Sequence, residues 1–279
     1  MNTIIISVVT LSLLAVVLAG ALYVVAQRFH VEDDGRIDDV EALLPGVNCG
    51  GCGFAGCRAL AEAAVRRPTM EGVYCPVGGG GVMDAVAALL GKAGAAQAPE
   101  PMLAVVRCAG DCTVRPRTNR YDGAASCLVM HRLYKGDTDC AYGCAGHGDC
   151  VRVCAFDALS INPATSLPDV RNDRCTACGA CVRACPKGLI ELRRRGPKGR
   201  RIFVACINRD RGGTARRACG AACIACIKCQ KVCAFEAITI DNNVAYIDFT
   251  KCRLCRKCPG ECPTGAIREA GFPPAGMKG

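Results

Sequence analysis

Three cysteine runs in this sequence have the spacing that binds an inorganic iron-sulfur cube. Within each run three cysteines follow at three-residue steps, and a fourth comes four residues later. In such runs three thiolates bind one [4Fe-4S] cluster and the fourth thiolate reaches across to a neighbouring cluster. By this crossed rule we expect Cys262 to join the run that begins at Cys223, and Cys233 to join the run that begins at Cys252. The runs are Cys175, Cys178, Cys181 and Cys185; Cys223, Cys226, Cys229 and Cys233; and Cys252, Cys255, Cys258 and Cys262.

A fourth run departs from this spacing at one position. It reads Cys144, His147, Cys150 and Cys154, so that histidine stands where the repeat carries Cys226. Three alternatives are open: His147 ligates the fourth iron, that iron is lost and a [3Fe-4S] cluster remains, or the cluster is absent. Because imidazole in place of thiolate raises the potential of other iron-sulfur centres, we predict a higher potential for this cluster than for its neighbours.

Two further cysteine sets have wider spacing. Glycine-rich sequence surrounds the first set, and glycine lets the backbone bend close to a cluster; the alternative is a group of buried, unliganded thiols. The second set has enough thiols for a sixth cluster. Cys206 and Cys219 lack two partners at the repeat spacing, so we expect them to be unliganded. The first set is Cys49, Cys52, Cys57 and Cys75, and the second is Cys108, Cys112, Cys127 and Cys140.

The cysteine-dense part of the chain repeats itself, first at an offset of 79 residues (Cys127 onto Cys206) and then at 77 (Cys175 onto Cys252). Two homologous modules explain this pattern. Short apolar strands, such as Ile238–Ile240 and Val244–Ile247 around an Asp-Asn-Asn turn, alternate with short helical stretches such as Cys178–Ala184. This predicts an α+β fold with two tandem bacterial-type ferredoxin modules. The predicted divisions are an anchor (1–30), a four-cysteine domain (31–91), a linker (92–101), module 1 (102–192), module 2 (193–270) and a tail (271–279).

The 25 cysteines of the 279-residue chain have two alternative explanations, a disulfide framework or zinc sites. Both fit the pattern less well than iron-sulfur clusters do. The count is odd, the chain is long for a disulfide mini-protein, and three-residue steps would strain a disulfide network. Zinc sites use paired cysteines separated by a spacer, often with histidine. The net charge of +10 counts thiols as neutral, and cluster charge would offset it, so it does not by itself indicate nucleic acid.

The amino-terminal segment Ile4–Ala26 carries no charge for 23 residues, which is long enough to cross a bilayer as one helix. The alternative is a cleaved signal peptide, but no Lys or Arg precedes the apolar run. An acidic neck, Glu32–Glu41, follows the anchor, and Arg58–Arg67 is predicted to be helical. Because free thiols persist in a reducing compartment, we expect the cysteine-rich part on the cytoplasmic side of a single-pass membrane protein.

A basic run lies between the two predicted modules: Arg193, Arg194, Arg195, Lys198, Arg200 and Arg201. It is either a solvated loop or a dock for an acidic redox protein or anionic headgroups. We find neither a dinucleotide-binding glycine motif nor a Walker loop, and no catalytic acid-base residues are indicated. We therefore expect nicotinamide and flavin sites on other chains.

The order of these features resembles the B subunit of the Rnf complex, a membrane-bound ferredoxin:NAD+ oxidoreductase that couples electron transfer to Na+ or H+ translocation. The resemblance rests on the anchor, the segment Leu44-Pro45-Gly46-x-Asn48-Cys49-Gly50-x-Cys52-Gly53, and the paired runs with Lys251–Cys258. It implies about six [4Fe-4S] clusters in the electron-transfer subunit of a translocase in the inner membrane. It also implies reduced ferredoxin as donor and other Rnf subunits as partners. His147 departs from the expected cysteine.

Two other functions fit part of the pattern. A stand-alone membrane polyferredoxin would share the anchor and the runs but would not purify with several integral membrane subunits. A corrinoid or CO dehydrogenase-linked iron-sulfur subunit would share a domain like the Cys49–Cys75 set, but it needs a large barrel domain for which this chain lacks the length.

Overall fold

The structure, a computed structural model, describes residues 2–28, 34–92, 100–134 and 136–273. Most of the predicted linker and tail therefore lies outside the described residues. The helices are α1 Asn2–Arg28, α2 Arg36–Leu43, α3 Cys57–Arg66, α4 Gly79–Leu89, α5 Cys127–Leu133, α6 Asp149–Arg152, α7 Ala180–Ala184, α8 Gly212–Ala218, α9 Lys228–Lys231 and α10 Lys257–Gly260. The strands are β1 Met102–Val106, β2 Leu159–Ile161, β3 Pro168–Val170, β4 Ile190–Arg194, β5 Arg201–Val204, β6 Ile238–Asp241, β7 Val244–Ile247 and β8 Ile267–Ala270. The predicted α+β class is confirmed.

Helix α1 stands apart from the rest of the described structure. Its segment Ile4–Val25 has a mean hydropathy of 2.7, and none of it is buried against the protein. At 1.5 Å per residue these 22 residues are long enough to cross a hydrocarbon core of about 30 Å.

The first domain packs α2, α3 and α4 around one small core. Ile37 and Val40 of α2 contact Leu60 of α3 and Met83 of α4 within that core. The predicted acidic neck is therefore partly a helix, because its two apolar residues lie three apart and share one face. Cys52, Cys57 and Cys75 belong to the same core, so three of the four cysteines of this domain are held by its hydrophobic packing.

Each module is built from two antiparallel strand pairs. In the first module β1 pairs with β4, and β2 forms a hairpin with β3. In the second module β5 pairs with β8, and β6 forms a hairpin with β7. Asn242 and Asn243 join β6 to β7 with positive φ angles of 46° and 62°, as a two-residue hairpin turn of the primed type requires. The same four-strand arrangement thus occurs twice.

Two arginines, one of them fully buried, join the two modules. Arg107, after β1, donates hydrogen bonds to the carbonyls of Val204 and Cys206 at 3.3 Å each. Arg193 of β4 is only 1% exposed and donates to the carbonyl of Ile247 at 2.8 Å. Aromatic rings of the second module cover its guanidinium group: Phe203, Tyr246 and Phe249.

The first domain also contacts the first module at a glycine. A Cβ atom on Gly51 would lie 2.8 Å from both the Cα atom and the carbonyl oxygen of Cys178. Arg183 of α7 donates a hydrogen bond to the carbonyl of Cys49 next to this contact. The backbone between Cys49 and Cys52 therefore lies directly against the backbone of the run that begins at Cys175.

Substitution of Gly51 by alanine should weaken this contact, because the new methyl group meets backbone that cannot move aside. We expect hydrogen–deuterium exchange of the peptide spanning 175–181 to rise about five-fold or more. Gly80→Ala is the control, since a Cβ atom there meets nothing within 4 Å. Equal exchange in both variants would contradict the contact.

Substitution of Arg193 by leucine should lower the free energy of unfolding by about 2–4 kcal/mol, because it leaves buried acceptors without a donor. The neighbouring Arg194 is 46% exposed and pairs with Glu100, so Arg194→Leu should cost less than about 1 kcal/mol. Urea unfolding of the full chain in detergent, followed by circular dichroism, measures both values. Similar losses of unfolding free energy in the two variants would show that the burial of Arg193 does not make it more important for stability than Arg194.

Candidate metal centres

All four cysteine runs curl in the same way. In each run the residues immediately before and after the second ligand position have positive φ angles. Ile227 is the most unusual of them, because a β-branched side chain rarely adopts a φ of 58°. Successive backbone N–H groups in such turns form a concave surface that favours negative charge. The pairs are Gly146 and Gly148, Ala177 and Gly179, Ala225 and Ile227, and Leu254 and Arg256.

Three cavities are each lined by four cysteines. Each cavity takes three cysteines from one run and the fourth from the other run of the same module, as the crossed rule predicts. One cavity is lined by Cys223, Cys226, Cys229 and Cys262. Another is lined by Cys233, Cys252, Cys255 and Cys258. The third is lined by Cys154, Cys175, Cys178 and Cys181.

The fourth cavity lies at the run that carries histidine. Cys144, Cys150 and Cys185 line it in the crossed pattern, and Cys127 also lines it. His147 is not among its lining residues; its ring centroid lies 5.6 Å from that of Tyr121. The structure thus places Cys127 with this group. The sequence spacing instead predicts that Cys127 belongs with Cys108, Cys112 and Cys140.

Two of the buried thiols at these cavities, those of Cys181 and Cys258, have raised pKa values. Burial, together with the neighbouring Cys175 and Cys178, raises the pKa of Cys181 to about 12. Burial and the nearby Cys252 likewise raise the pKa of Cys258 to about 12. Thiolates here therefore require a compensating positive charge, which bound iron supplies.

Backbone N–H groups point at several of the sulfur atoms. Ala158 N donates to Cys154 Sγ and Leu189 N to Cys185 Sγ, at 3.3 Å each. For Cys262, burial raises the pKa, but hydrogen bonds from Thr264 and from the backbone of Ile267 and Ala266 outweigh it, and the pKa is lowered. Such donors stabilise the thiolate, which is the form of cysteine that binds a metal.

The geometry fits clusters better than single ions or disulfides. All 25 cysteines lie within the described residues, and each is a free thiol. Within residues 2–28, 34–92, 100–134 and 136–273, no three His, Cys, Asp or Glu side chains converge closely enough to hold one metal ion. Four cysteines around a larger cavity suit an iron-sulfur cube, whose iron atoms bind one thiolate each.

In the first domain, Cys49, Cys52 and Cys57 lie on the glycine-rich loop and at the start of α3, while Cys75 is buried before α4. Asn48, with a φ of 50°, accepts a hydrogen bond from Cys57 N at 2.7 Å and so fixes the end of the loop. Gly78 N donates to Cys75 Sγ at 3.3 Å. These hydrogen bonds fix the backbone near Cys57 and Cys75, and the hydrophobic core holds both residues together with Cys52.

The remaining five cysteines divide differently from the sequence prediction. Cys140, Cys206 and Cys219 are buried in one core between the modules, where Asn208 contacts the sulfurs of Cys206 and Cys140 at 3.4 and 3.6 Å. Cys108 interacts electrostatically with Cys219. Cys112 is exposed and donates to the carbonyl of Ala164 at 3.1 Å, so the structure does not bring it to the others.

Comparison with known proteins agrees with these centres. Residues 44–70 match a family described as "Putative Fe-S cluster", and residues 138–189 match one described as "4Fe-4S dicluster domain". The predicted cofactor class is confirmed: the protein carries multiple [4Fe-4S] clusters.

Three relatives are similar over most of their length. The B subunit of the Na(+)-translocating ferredoxin:NAD(+) oxidoreductase complex of Acetobacterium woodii is 41% identical over 268 residues, which are 96% of this chain and 78% of the relative. The proton-translocating counterpart of Clostridium ljungdahlii is 40% identical over 270 residues (96% and 93%). The B subunit of the ion-translocating oxidoreductase complex of Methanosarcina acetivorans is 38% identical over 249 residues (89% and 92%).

The apolar helix α1 and these relatives indicate a membrane-associated protein, and the resemblance drawn from the sequence is confirmed. Because the likeness extends over about nine-tenths of the chain or more in each case, this chain belongs to the B-subunit family of ion-translocating ferredoxin:NAD+ oxidoreductases and is an electron-transfer subunit of such a complex.

Proposed function

We propose that this chain carries electrons from reduced ferredoxin to the other subunits of an ion-translocating complex. The observation that carries the proposal is the set of four cavities, each lined by four cysteines contributed by two runs or, in one case, by two runs and Cys127. The names of the relatives supply the donor and the complex. We further propose that α1 crosses the membrane once and that the cysteine-rich part lies on the cytoplasmic side, where thiols stay reduced.

About six clusters fit the cysteine groups. Four groups line the cavities, and the first domain supplies a fifth. We propose that the sixth group spans both modules and consists of Cys108, Cys140, Cys206 and Cys219, in place of the set predicted from spacing. When bound, [4Fe-4S] clusters take up and release single electrons at potentials set by nearby charges and hydrogen bonds.

The cysteine groups are neighbours in one continuous order. Gly51 of the first domain contacts Cys178, and Cys181 interacts electrostatically with Cys150 of the other group in its module. Cys144 then interacts with Cys108, and Cys206 with Cys223. Finally, Cys258 interacts with Cys229 within the second module. This order supports a relay that extends between the first domain and the far end of the second module.

A broad groove lined by arginines lies beside the last group. Its volume is about 470 Å³, and Cys252, Phe249 and Leu254 form part of its wall. Arg193 and Arg201 are 1% and 6% exposed, yet each has N–H groups without an acceptor among the described residues. We call this surface the arginine groove; its arginines are Arg193, Arg194, Arg195, Arg200, Arg201 and Arg253.

We propose that the arginine groove binds the acidic face of reduced ferredoxin. Positive charge concentrated in a cleft raises the association rate of an acidic partner and orients it. Because Cys252 lines both the groove and the last cysteine cavity, a donor bound there would lie close to the redox centre.

Iron and acid-labile sulfide analysis tests the relay. The anaerobically purified full chain should contain about 24 iron atoms, four for each of six cubes. Stepwise reduction followed by EPR should resolve several interacting centres. About eight iron atoms or fewer would leave at least four of the six cysteine groups without a complete cube and would contradict the relay.

Purification of the native protein in mild detergent tests separately whether the chain is part of a membrane complex. Other integral membrane subunits should accompany the chain. If the chain is recovered alone, it is better described as a stand-alone membrane polyferredoxin. That result would not affect the relay, because the iron analysis tests the relay separately.

Charge reversal in the groove tests the donor site. Arg195 and Arg253 are exposed groove residues. The Arg195→Glu/Arg253→Glu double variant should slow reduction by reduced ferredoxin about ten-fold at low salt, because the acidic donor is then repelled. Stopped-flow absorbance measures the rate, and the difference should shrink as salt screens the charges.

The control for this experiment is Arg217→Glu together with Arg132→Glu. Both arginines are exposed on helices outside the groove, and the double variant changes the net charge by the same amount. Equal rates in the two double variants would show that overall charge, and not the groove, governs association with the donor.

A further inference from the structure

The most informative irregularity in the chain is the histidine within an otherwise regular cysteine run. We propose that Cys127 takes the place of the missing cysteine, so that the cluster beside His147 is held by Cys127, Cys144, Cys150 and Cys185. The proposal rests on the proposed function, because it assumes that this cavity holds a cluster. It also makes His147 a neighbour of the site and not a ligand.

The lining of the cavity carries this inference. Cys127 lines it together with three cysteines placed by the crossed rule, and His147 does not. Cys144 and Cys150 both interact electrostatically with Cys127, so its sulfur lies near two of the other three. The group therefore has four cysteines, the same number as each of the other three cavities.

The second module serves as an internal reference for the loop. There, Cys226 lies between Ala225 and Ile227, whose φ angles are 53° and 58°. Gly146 and Gly148 on either side of His147 have φ angles of 75° and 76°. The backbone around position 147 thus keeps the curl that surrounds a cluster, and only the side chain that should complete the ligand set has changed.

The histidine side chain is directed to other neighbours. Its ring lies 5.6 Å from the ring of Tyr121, at an interplanar angle of 54°. Its Nε2 atom is buried and has no hydrogen-bond partner among the described residues. Ligation by this nitrogen is therefore the competing outcome that the experiment must separate from ligation by Cys127.

A specific contact holds Cys127 in place. Asp149, the residue before Cys150, accepts hydrogen bonds from Cys127 N at 2.9 Å and from Leu128 N and Ser126 Oγ at 3.0 Å each. The start of α5 is thus fixed to the loop that supplies the other ligands. In the second module Lys228 stands at the equivalent position, 79 residues later, and has no carboxylate that could accept these hydrogen bonds.

The proposed ligand set changes the expected properties of this cluster. With four thiolates and no imidazole, nothing in the ligand chemistry raises its potential above those of its neighbours. The cluster should also be a complete cube in the protein as purified, with no three-iron form.

EPR and iron analysis of the anaerobically purified full chain test the proposal. Cys127→Ser should give a three-iron EPR signal in the oxidised protein, or a loss of about one to four iron atoms per chain. His147→Ala should leave both the iron content and the spectrum unchanged. Cys112→Ser is the matched control, because Cys112 is an exposed thiol that lines none of the four cysteine cavities described above, and it should behave like the unmodified chain.

A second variant decides the question if Cys127→Ser fails to fold. Adding His147→Cys to Cys127→Ser recreates the spacing of the second module, so this double variant should regain the full iron content and lose the three-iron signal. If His147→Ala produces that signal, or if the double variant stays deficient, the proposal is overturned. An unmodified chain without iron-sulfur clusters would instead refute the proposed function itself.

Discussion

The rest of the structure depends on the exchange of the fourth cysteine between the two runs of a module. Each run curls around its own cavity but leaves that cavity incomplete until a residue from the other run arrives. The two runs must therefore be held at a fixed separation. Strands of three to five residues and one short hairpin per module achieve this with little apolar surface. That economy suits a chain with 5% aromatic residues and no tryptophan.

A second constraint is the electrostatic balance of a core made largely of ionisable thiols. Arg115, which is 7% exposed, donates to the carbonyls of Gly110 and Cys144 at 3.0 and 2.8 Å. Lys187 donates to the carbonyl of Gly143 at 2.8 Å, and burial lowers its pKa. These cations surround cysteine groups that become negative when they bind iron. Part of the positive formal charge of the chain therefore lies inside the protein, next to the centres whose charge it offsets.

The sequence was most informative where ligand spacing is local. The runs and the β6–β7 hairpin could be predicted because their residues are close in the chain, and the Asn242–Asn243 turn requires a conformation that asparagine tolerates. The pairing of β1 with β4 was not predicted, because 83 intervening residues separate the strands and neither strand identifies its partner. Helix α4 was also missed, because it begins with three glycines that disfavour helices. The approach of Cys127 to Cys144 depends on Asp149 and on the path of the loop between them, which no spacing rule describes.

The pairing of the first and last strands in each module has a consequence for how such a protein can grow. Because β1 lies beside β4 and β5 beside β8, the two ends of each module emerge at the same edge. The chain leaves β4 at Arg194 and enters β5 at Arg201 after only six residues. A unit whose ends meet can be duplicated in tandem by a single genetic event without disturbing its interior. The same geometry would accept an additional copy at the carboxyl end of β8, and so would lengthen the array of redox centres by whole pairs.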